Sequence, residues 1–181
     1  MKKTFLLLSL ITFTGFVFAQ KKTTTSATVA FDASTAIDAL PKAENKTVTA
    51  AIDTKTGVVQ FEATVKNFAF SNPTIQQHFN DKKWMNSDEF PKFSFKGTVT
   101  DLSKISFEKK GTYPVTVAGE LIVKGVSKPI TAPATVSVNN GVIAATSEFS
   151  ITLADFGITG VPIDAGKVAK EPKISVSAEF K

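Results

Sequence analysis

His78 and Asp81 come nearest, by type and spacing, to a catalytic pair. His78 is the chain's one histidine, and histidine is the only side chain whose unperturbed pKa lies near neutrality. Asp81 follows three residues later, so one helical turn would bring the carboxylate beside the ring. Such a pair would do general acid–base chemistry. It lacks company, however: no second acid or base accompanies it, and no Gly-x-Ser-x-Gly nucleophile elbow occurs. A histidine held for structural reasons by backbone or by Asp81 is the stronger reading, and no catalytic set is assigned. Metal chemistry fares no better. One histidine, no cysteine and scattered carboxylates give no ligand spacing. Asp101, Glu108, Asp155 and Asp164 read as loop or strand-end residues, and neither a metal nor a cofactor is expected. Lys124 and Lys128, on either side of Gly125, could hold an anionic headgroup. Lysines that keep a hairpin tip hydrated are commoner.

Charge and cysteine content narrow the classes further. All 21 basic residues are lysine. Arginine, the usual bidentate reader of phosphate and guanine, is absent, which speaks against nucleic acid as a partner. A mildly basic surface still suits transient contact with an anionic membrane. The absence of cysteine excludes thiol catalysis, thiolate metal sites and a lipoprotein anchor, which needs a cysteine at its cleavage site.

The elements that would position these residues begin after a leader. Lys2 and Lys3 precede the apolar stretch Phe5–Val17, and Val17-Phe18-Ala19 supplies a peptidase site. Residues 1–19 therefore read as a signal peptide cleaved after Ala19. The apolar stretch is short for a membrane span, which needs roughly 20 residues. The mature chain, residues 20–181, has 162 residues and a net charge of +3, enough for one domain with a sizeable core. It is expected in the periplasm or secreted.

Through the mature chain the dominant hydrophobic period is two, the mark of half-buried strands. After a polar start at Gln20–Ser26, expected to fray, Val29 and Phe31 alternate. Val48, Ala50 and Ile52 follow, then Val59, Phe61, Ala63 and Val65, with Phe68 and Phe70 beyond. Phe93, Phe95 and Val99 mark another strand. Tyr113 to Val123, Ile130 to Val138, Ile143 to Ile151 and Ile174 to Phe180 continue the pattern. Asp53–Gly57 and Asn139–Gly141 read as hairpin turns, the second of type I′. Pro114 and Pro133 fit only an edge or a bulge. The result is an all-β protein of about eight antiparallel strands, in a sandwich or a barrel. One segment breaks the period: Asn72–Asp88 predicts a short helix over about Thr74–Lys82, capped by Asn72 with Pro73 in its first turn. This insertion would plug or gate one end.

Twelve phenylalanines remain after cleavage, against one Trp and one Tyr. Phenylalanine buries much area without making a hydrogen bond. Ala63, Ala132, Ala134, Ala145 and Ala178 occupy inward positions, and small inward residues leave room in a barrel just wide enough for one small ligand. Phe61, Phe68, Phe70, Phe79, Trp84, Met85, Phe93, Phe95 and Leu121 are therefore expected to line a lumen and its mouth. The alternative is that all nine simply fill a core.

Three stretches together resemble the YceI-like family of bacterial exported proteins. The first is His78-Phe79, Trp84-Met85-Asn86, Phe90-Pro91 and Phe95, spaced as that family's His-Leu, Phe-Phe-Asp, Tyr-Pro and strand Phe. The second is Gly119–Ile130, GELIVKGVSKPI, similar to its Gly-x-Leu-Thr-Ile-x-Gly-Val-Thr-Lys-Pro-Val hairpin. The third is Asp155-Phe156-Gly157 after a strand. The resemblance covers roughly Asn67–Lys181. It implies an eight-stranded, antiparallel, lipocalin-like barrel whose lumen binds a long-chain isoprenoid or similar apolar lipid. The family's first-strand histidine is missing here, and Trp84-Met85-Asn86 replaces Phe-Phe-Asp, so ligand identity and headgroup contacts stay open. Two other functions remain beside the lipid carrier: a stress-related or surface-interaction barrel with a filled core, and an enzyme acting on a bound lipid through His78.

Overall fold

A computed structural model of the chain describes residues 21–181. The leader expected at residues 1–19 lies outside the described residues. Eight long strands form the wall: β1 (Lys21–Asp32), β2 (Lys42–Asp53), β3 (Val58–Thr64), β5 (Lys92–Val99), β6 (Gly111–Val123), β7 (Val126–Asn139), β8 (Val142–Ser150) and β9 (Lys173–Phe180). A two-residue strand, β4 (Ala69–Phe70), adds to β2. Each long strand pairs antiparallel with the next in sequence, and β1 also pairs with β9 from Thr28–Ser177 to Asp32–Lys173. The sheet is thereby closed into an eight-stranded barrel, one of the two forms the alternation allows and the one the resemblance implies.

The period-two pattern sorts residues across the wall. Val48, Ala50, Ile52, Val59, Ala63, Val99, Val136 and Val138 are buried, and their neighbours in the sequence face out. Ile52, Val138, Ile143 and Phe180, beside the turns at Asp53–Gly57 and Asn139–Gly141, are each no more than 2 % exposed. That end of the barrel is solid. Burying each such side chain contributes about 1.5–3 kcal/mol. The predicted type I′ turn is present, with positive φ at Asn140 (50°) and Gly141 (80°), and Lys124 (51°) and Gly125 (76°) repeat it between β6 and β7.

Two expectations are corrected. The polar start does not fray from Lys21 onward: β1 already pairs there, Lys21 with Asp53 and Thr24 with Ala50. Register shifts on both sides of Ala27 break the parity of β1, so no alternation is visible, while its β-branched threonines suit a strand. The inserted helix, α1, spans Pro73–Asn80 rather than Thr74–Lys82. Asn72 Oδ1 accepts the Thr74 N–H (2.9 Å) as expected of the cap, but Asp81 is extended (ψ 154°) and ends the helix. Besides this insertion there is a one-turn helix, α2 (Val161–Asp164), between β8 and β9.

Both prolines sit where a strand has a neighbour on one side only. Pro114 lies beyond the last β5–β6 pair, Val99–Val117, and Pro133 lies beyond the last β7–β8 pair, Ala134–Ser147. Neither location demands the missing N–H.

At the end of β1, Asp32 ties down the loop that leads to β2. Its carboxylate pairs with Lys42 (2.9 Å) and accepts the Ser34 N–H (3.0 Å) and hydroxyl. Burial by itself raises the pKa of this group. The Ser34 side-chain bond, the Lys42 bond and charge and the Ser34 N–H outweigh it, lowering the pKa from 3.8 to about 2. A carboxylate with a depressed folded-state pKa stabilises above the unfolded value and loses that contribution as pH falls through the folded one. Asp32→Asn should therefore unfold at lower urea than the parent at neutral pH. The two midpoints should converge as pH drops from about 4 to about 2; a gap that persists at the acid end would contradict this assignment.

Candidate ligand-binding site

Away from the solid end the barrel encloses a cavity of ≈ 210 Å³. Its lining comes from every long strand and from the β8–β9 connection, through Leu153 and Ile158. Polar residues in that lining are limited to Ser94, Thr146 and Ser147. Ser94 alternates with the inward Phe93 and Phe95, and Thr146 with the inward Ala145 and Ser147, so both contribute wall rather than an inward hydroxyl. Ser147 does face inward, but its hydroxyl donates to the Pro133 carbonyl (2.7 Å). The interior therefore offers a ligand almost no polar partner.

Why space remains is legible in β5 and β6. Gly97 and Gly119 are direct cross-strand partners, flanked by the Phe95–Leu121 and Val99–Val117 pairs on the same inward face. A Cβ on Gly119 would collide with the Lys96 carbonyl and the Gly97 Cα, and one on Gly97 would lie 2.5 Å from the Ala118 carbonyl. The two backbones approach too closely for any side chain, a glycine kink of the kind that bends a sheet toward closure. The Phe95 ring lies over Gly97, 2.5 Å from where that Cβ would be. It rests along its own strand while bordering the cavity. On β7 and β8, Ala132, Ala134 and Ala145 keep the adjoining wall shallow.

The nine residues expected to line the lumen divide into two groups. Phe61, Phe68, Phe79, Met85, Phe93, Phe95 and Leu121 face the cavity. Phe70 and Trp84 are half-buried against the core and do not border the cavity. Phe70 instead packs behind the inserted segment, 5.0 Å from Phe79 and 5.7 Å from Phe31 between ring centroids. Phe31 stacks on Phe79 (5.5 Å), and Phe68 bridges Phe79 (6.1 Å) and Phe93 (5.8 Å). These rings, with buried Met85, close the end that carries α1. Of the five alanines, Ala178 is buried but does not border the space. Lining residues not anticipated include Val29, Phe31, Phe149, Ile151, Ile174 and Val176. Their alternation in β1, β8 and β9 carried that signal.

His78 is exposed on α1 and does not border the cavity. The Asp81 carboxylate accepts the Lys83 N–H (2.9 Å). Among the described residues no group of three or more His, Cys, Asp or Glu could hold a metal ion. Lys128 is the cross-strand partner of the inward Leu121, and Lys124 occupies the turn itself, so both stand at the rim. No helix among the described residues is long and apolar enough to cross a membrane.

Comparison with known proteins agrees with this geometry. A family model described as YceI-like domain matches residues 9–180. None of the curated proteins matches the chain. Among solved structures, Burkholderia cenocepacia BcnA is similar, with 20% identity, TM-score 0.70, and coverage of 86% of this chain and 96% of that one. A polyisoprenoid binding domain from Saccharophagus degradans, implicated in plant cell wall breakdown, superposes with TM-score 0.75 at 13% identity, covering 90% and 98%. The Campylobacter jejuni YceI protein matches with TM-score 0.53 at 15% identity, covering 100% and 91%. At such identities the structures speak for the fold. The family match spans nearly the whole chain, and the chain belongs to the YceI-like family.

Proposed function

We propose that this protein is an exported binding protein that sequesters or carries a long-chain isoprenoid or similar apolar lipid in its lumen, without catalysis. The observation that carries this reading is the cavity: nearly all carbon, built into the barrel, and free of any inward polar group without a partner. Ligand sites of this shape bind by burial, with few polar contacts. Each methylene taken from water contributes about 0.8 kcal/mol, so a long chain needs no headgroup clamp to bind. The polyisoprenoid-binding relative of the same fold supports the ligand class. Ile37, between β1 and β2, and Val161, at the start of α2, are exposed at the cavity's end of the barrel and suit transient contact with a membrane. The rings packed around Phe79 favour one other reading, a filled barrel that acts through its surface.

Native mass spectrometry of the protein purified from its own host, followed by solvent extraction, separates the two. The expected result is a chain starting at Gln20 that carries one apolar lipid. A bare polypeptide with no extractable lipid would overturn the carrier reading, and a cytosolic chain retaining Met1 would overturn export.

A further inference from the structure

We infer that the ligand enters through the wall of the barrel, at the seam where β7 parts from β8, and not through the end that carries α1. This rests on the carrier reading and specifies how its site is reached. The β7–β8 ladder runs only from Asn139–Val142 to Ala134–Ser147. Beyond it β7 continues eight residues to Val126, held by β6 alone, and β8 continues to Ser150, held by β9 alone. The wall therefore splits lengthwise beside the cavity. Beyond the ladder, the inward Ile130 on one bank and Phe149 on the other line the cavity yet are only half-buried. Ala132, between Ile130 and the ladder, is 5 % exposed, and Val136 within the ladder is 3 % exposed.

The chemistry of the edge holds the seam open. The Pro133 carbonyl points toward β8, because it accepts the Ser147 hydroxyl there (2.7 Å). Residues two and four apart on a strand direct their backbone to the same side, so Thr131 and Pro129 face the same edge. Two of the three donors that would extend the ladder are thus prolines without an N–H. A strand edge blunted in this way does not zip onto a neighbour.

What lies against this seam is a turn rather than a strand. Residues Leu153–Phe156 form a single 3₁₀ turn that packs on β7, with Leu153 bordering the cavity and Phe156 buried. Its backbone bonds run within the turn and to the irregular segment that leads to β9: Asp155 N–H to Thr152 O (3.1 Å), Ile158 N–H to Leu153 O (3.1 Å) and Leu153 N–H to Lys170 O (3.0 Å). Its cover over the seam consists of side chains, which can part without breaking a ladder. The end carrying α1, by contrast, is closed by five mutually packed rings and by backbone bonds from Met85 to Phe79 (3.1 Å) and Ser87 to Asn80 (3.2 Å).

The absence of cysteine makes the test clean. Continuing the β7–β8 register would place Thr131 opposite Ser150, both exposed on the outer face and outside the cavity. A Thr131→Cys/Ser150→Cys protein is bridged with a short bis-methanethiosulfonate, and the bridge is later released by reductant. A second protein, Lys66→Cys/Asp88→Cys, replaces a surface ion pair of 2.6 Å and is bridged with the same reagent, which staples the inserted segment to the wall. The association rate of the apolar fluorophore N-phenyl-1-naphthylamine is followed by stopped flow, and its equilibrium binding to each reduced protein is measured alongside. The expected result is a slowing of about tenfold or more with the seam bridged, as for a gated entry, restored by reductant, and no change with the staple. A seam bridge without effect, or a staple that slows entry, overturns the inference while leaving the carrier reading intact. A reduced protein that does not bind the fluorophore at equilibrium overturns both.

Discussion

Filling the lumen from β7 should abolish uptake of an apolar ligand and leave the barrel folded. Ala132 and Ala134 border the cavity, and their cross-strand neighbours on β6 are Val117 and Val115. A phenyl ring at either position would project into open space rather than into packed atoms, so Ala132→Phe and Ala134→Phe should each retain the parent's thermal midpoint within a few degrees. Were the interior already filled, the same ring would overpack it at a cost of about 1–3 kcal/mol. That cost would lower the midpoint of a domain this size by about 2–4 °C per kcal/mol. Loss of lipid from the purified variant with an unchanged midpoint is the expected pair of results. A variant that melts early and a parent that never carried lipid would together refute the carrier.

The opposite outcome is expected at Gly119. Its missing Cβ is where the Lys96 carbonyl and the Gly97 backbone pass, so Gly119→Val forces β5 and β6 apart at the middle of the barrel. The side chain would break ladder bonds on both sides as well as overpack, which places the loss at about 3 kcal/mol or more. Equilibrium urea unfolding should show it. Gly141→Ala is the comparison, because a Cβ there meets nothing within 4 Å and costs only its left-handed φ of 80°. Equal losses at the two glycines would refute the close approach as the reason for Gly119.

The contrast between those positions also shows what was legible in the residues. Gly141 announces itself, since it follows Asn140 between alternating apolar runs, and Gly125 does so by the break it makes between two such runs, although the lysine before it is not a usual type I′ residue. Gly97 and Gly119 do not: in sequence each looks like a lapse in the strand, and only the register of β5 on β6 reveals that they meet. The same limit governs the lining. Period two placed Phe61, Phe93, Phe95 and Leu121 on one face, but no local pattern could say that the ring of Phe95 would lie along the wall over Gly97. Phe70 sits on β4 beyond the turn at Val65–Asn67, which breaks the parity carried from β3, and Trp84 lies in the irregular stretch after α1; both back the cavity instead of bordering it. The N-terminal half of β1 was hidden for a related reason, because register shifts at Ala27 cancel the parity that would have exposed it.

The closing pair of the barrel has a temporal meaning. Each long strand finds a neighbour that precedes or follows it in sequence, and only the β1–β9 ladder joins the two extremes of the described chain. A chain made from its N-terminal side can form hairpins as it appears, yet it cannot complete the ring until β9 has appeared. Until Lys173–Phe180 arrives, the β1 and β8 edges are both bare and the apolar interior stays reachable by other proteins. Sequence-distant pairs of this kind form late, because loop closure must come before the contacts that reward it. Completion of the ring is thereby tied to the arrival of β9, and whatever holds that strand away holds the barrel open.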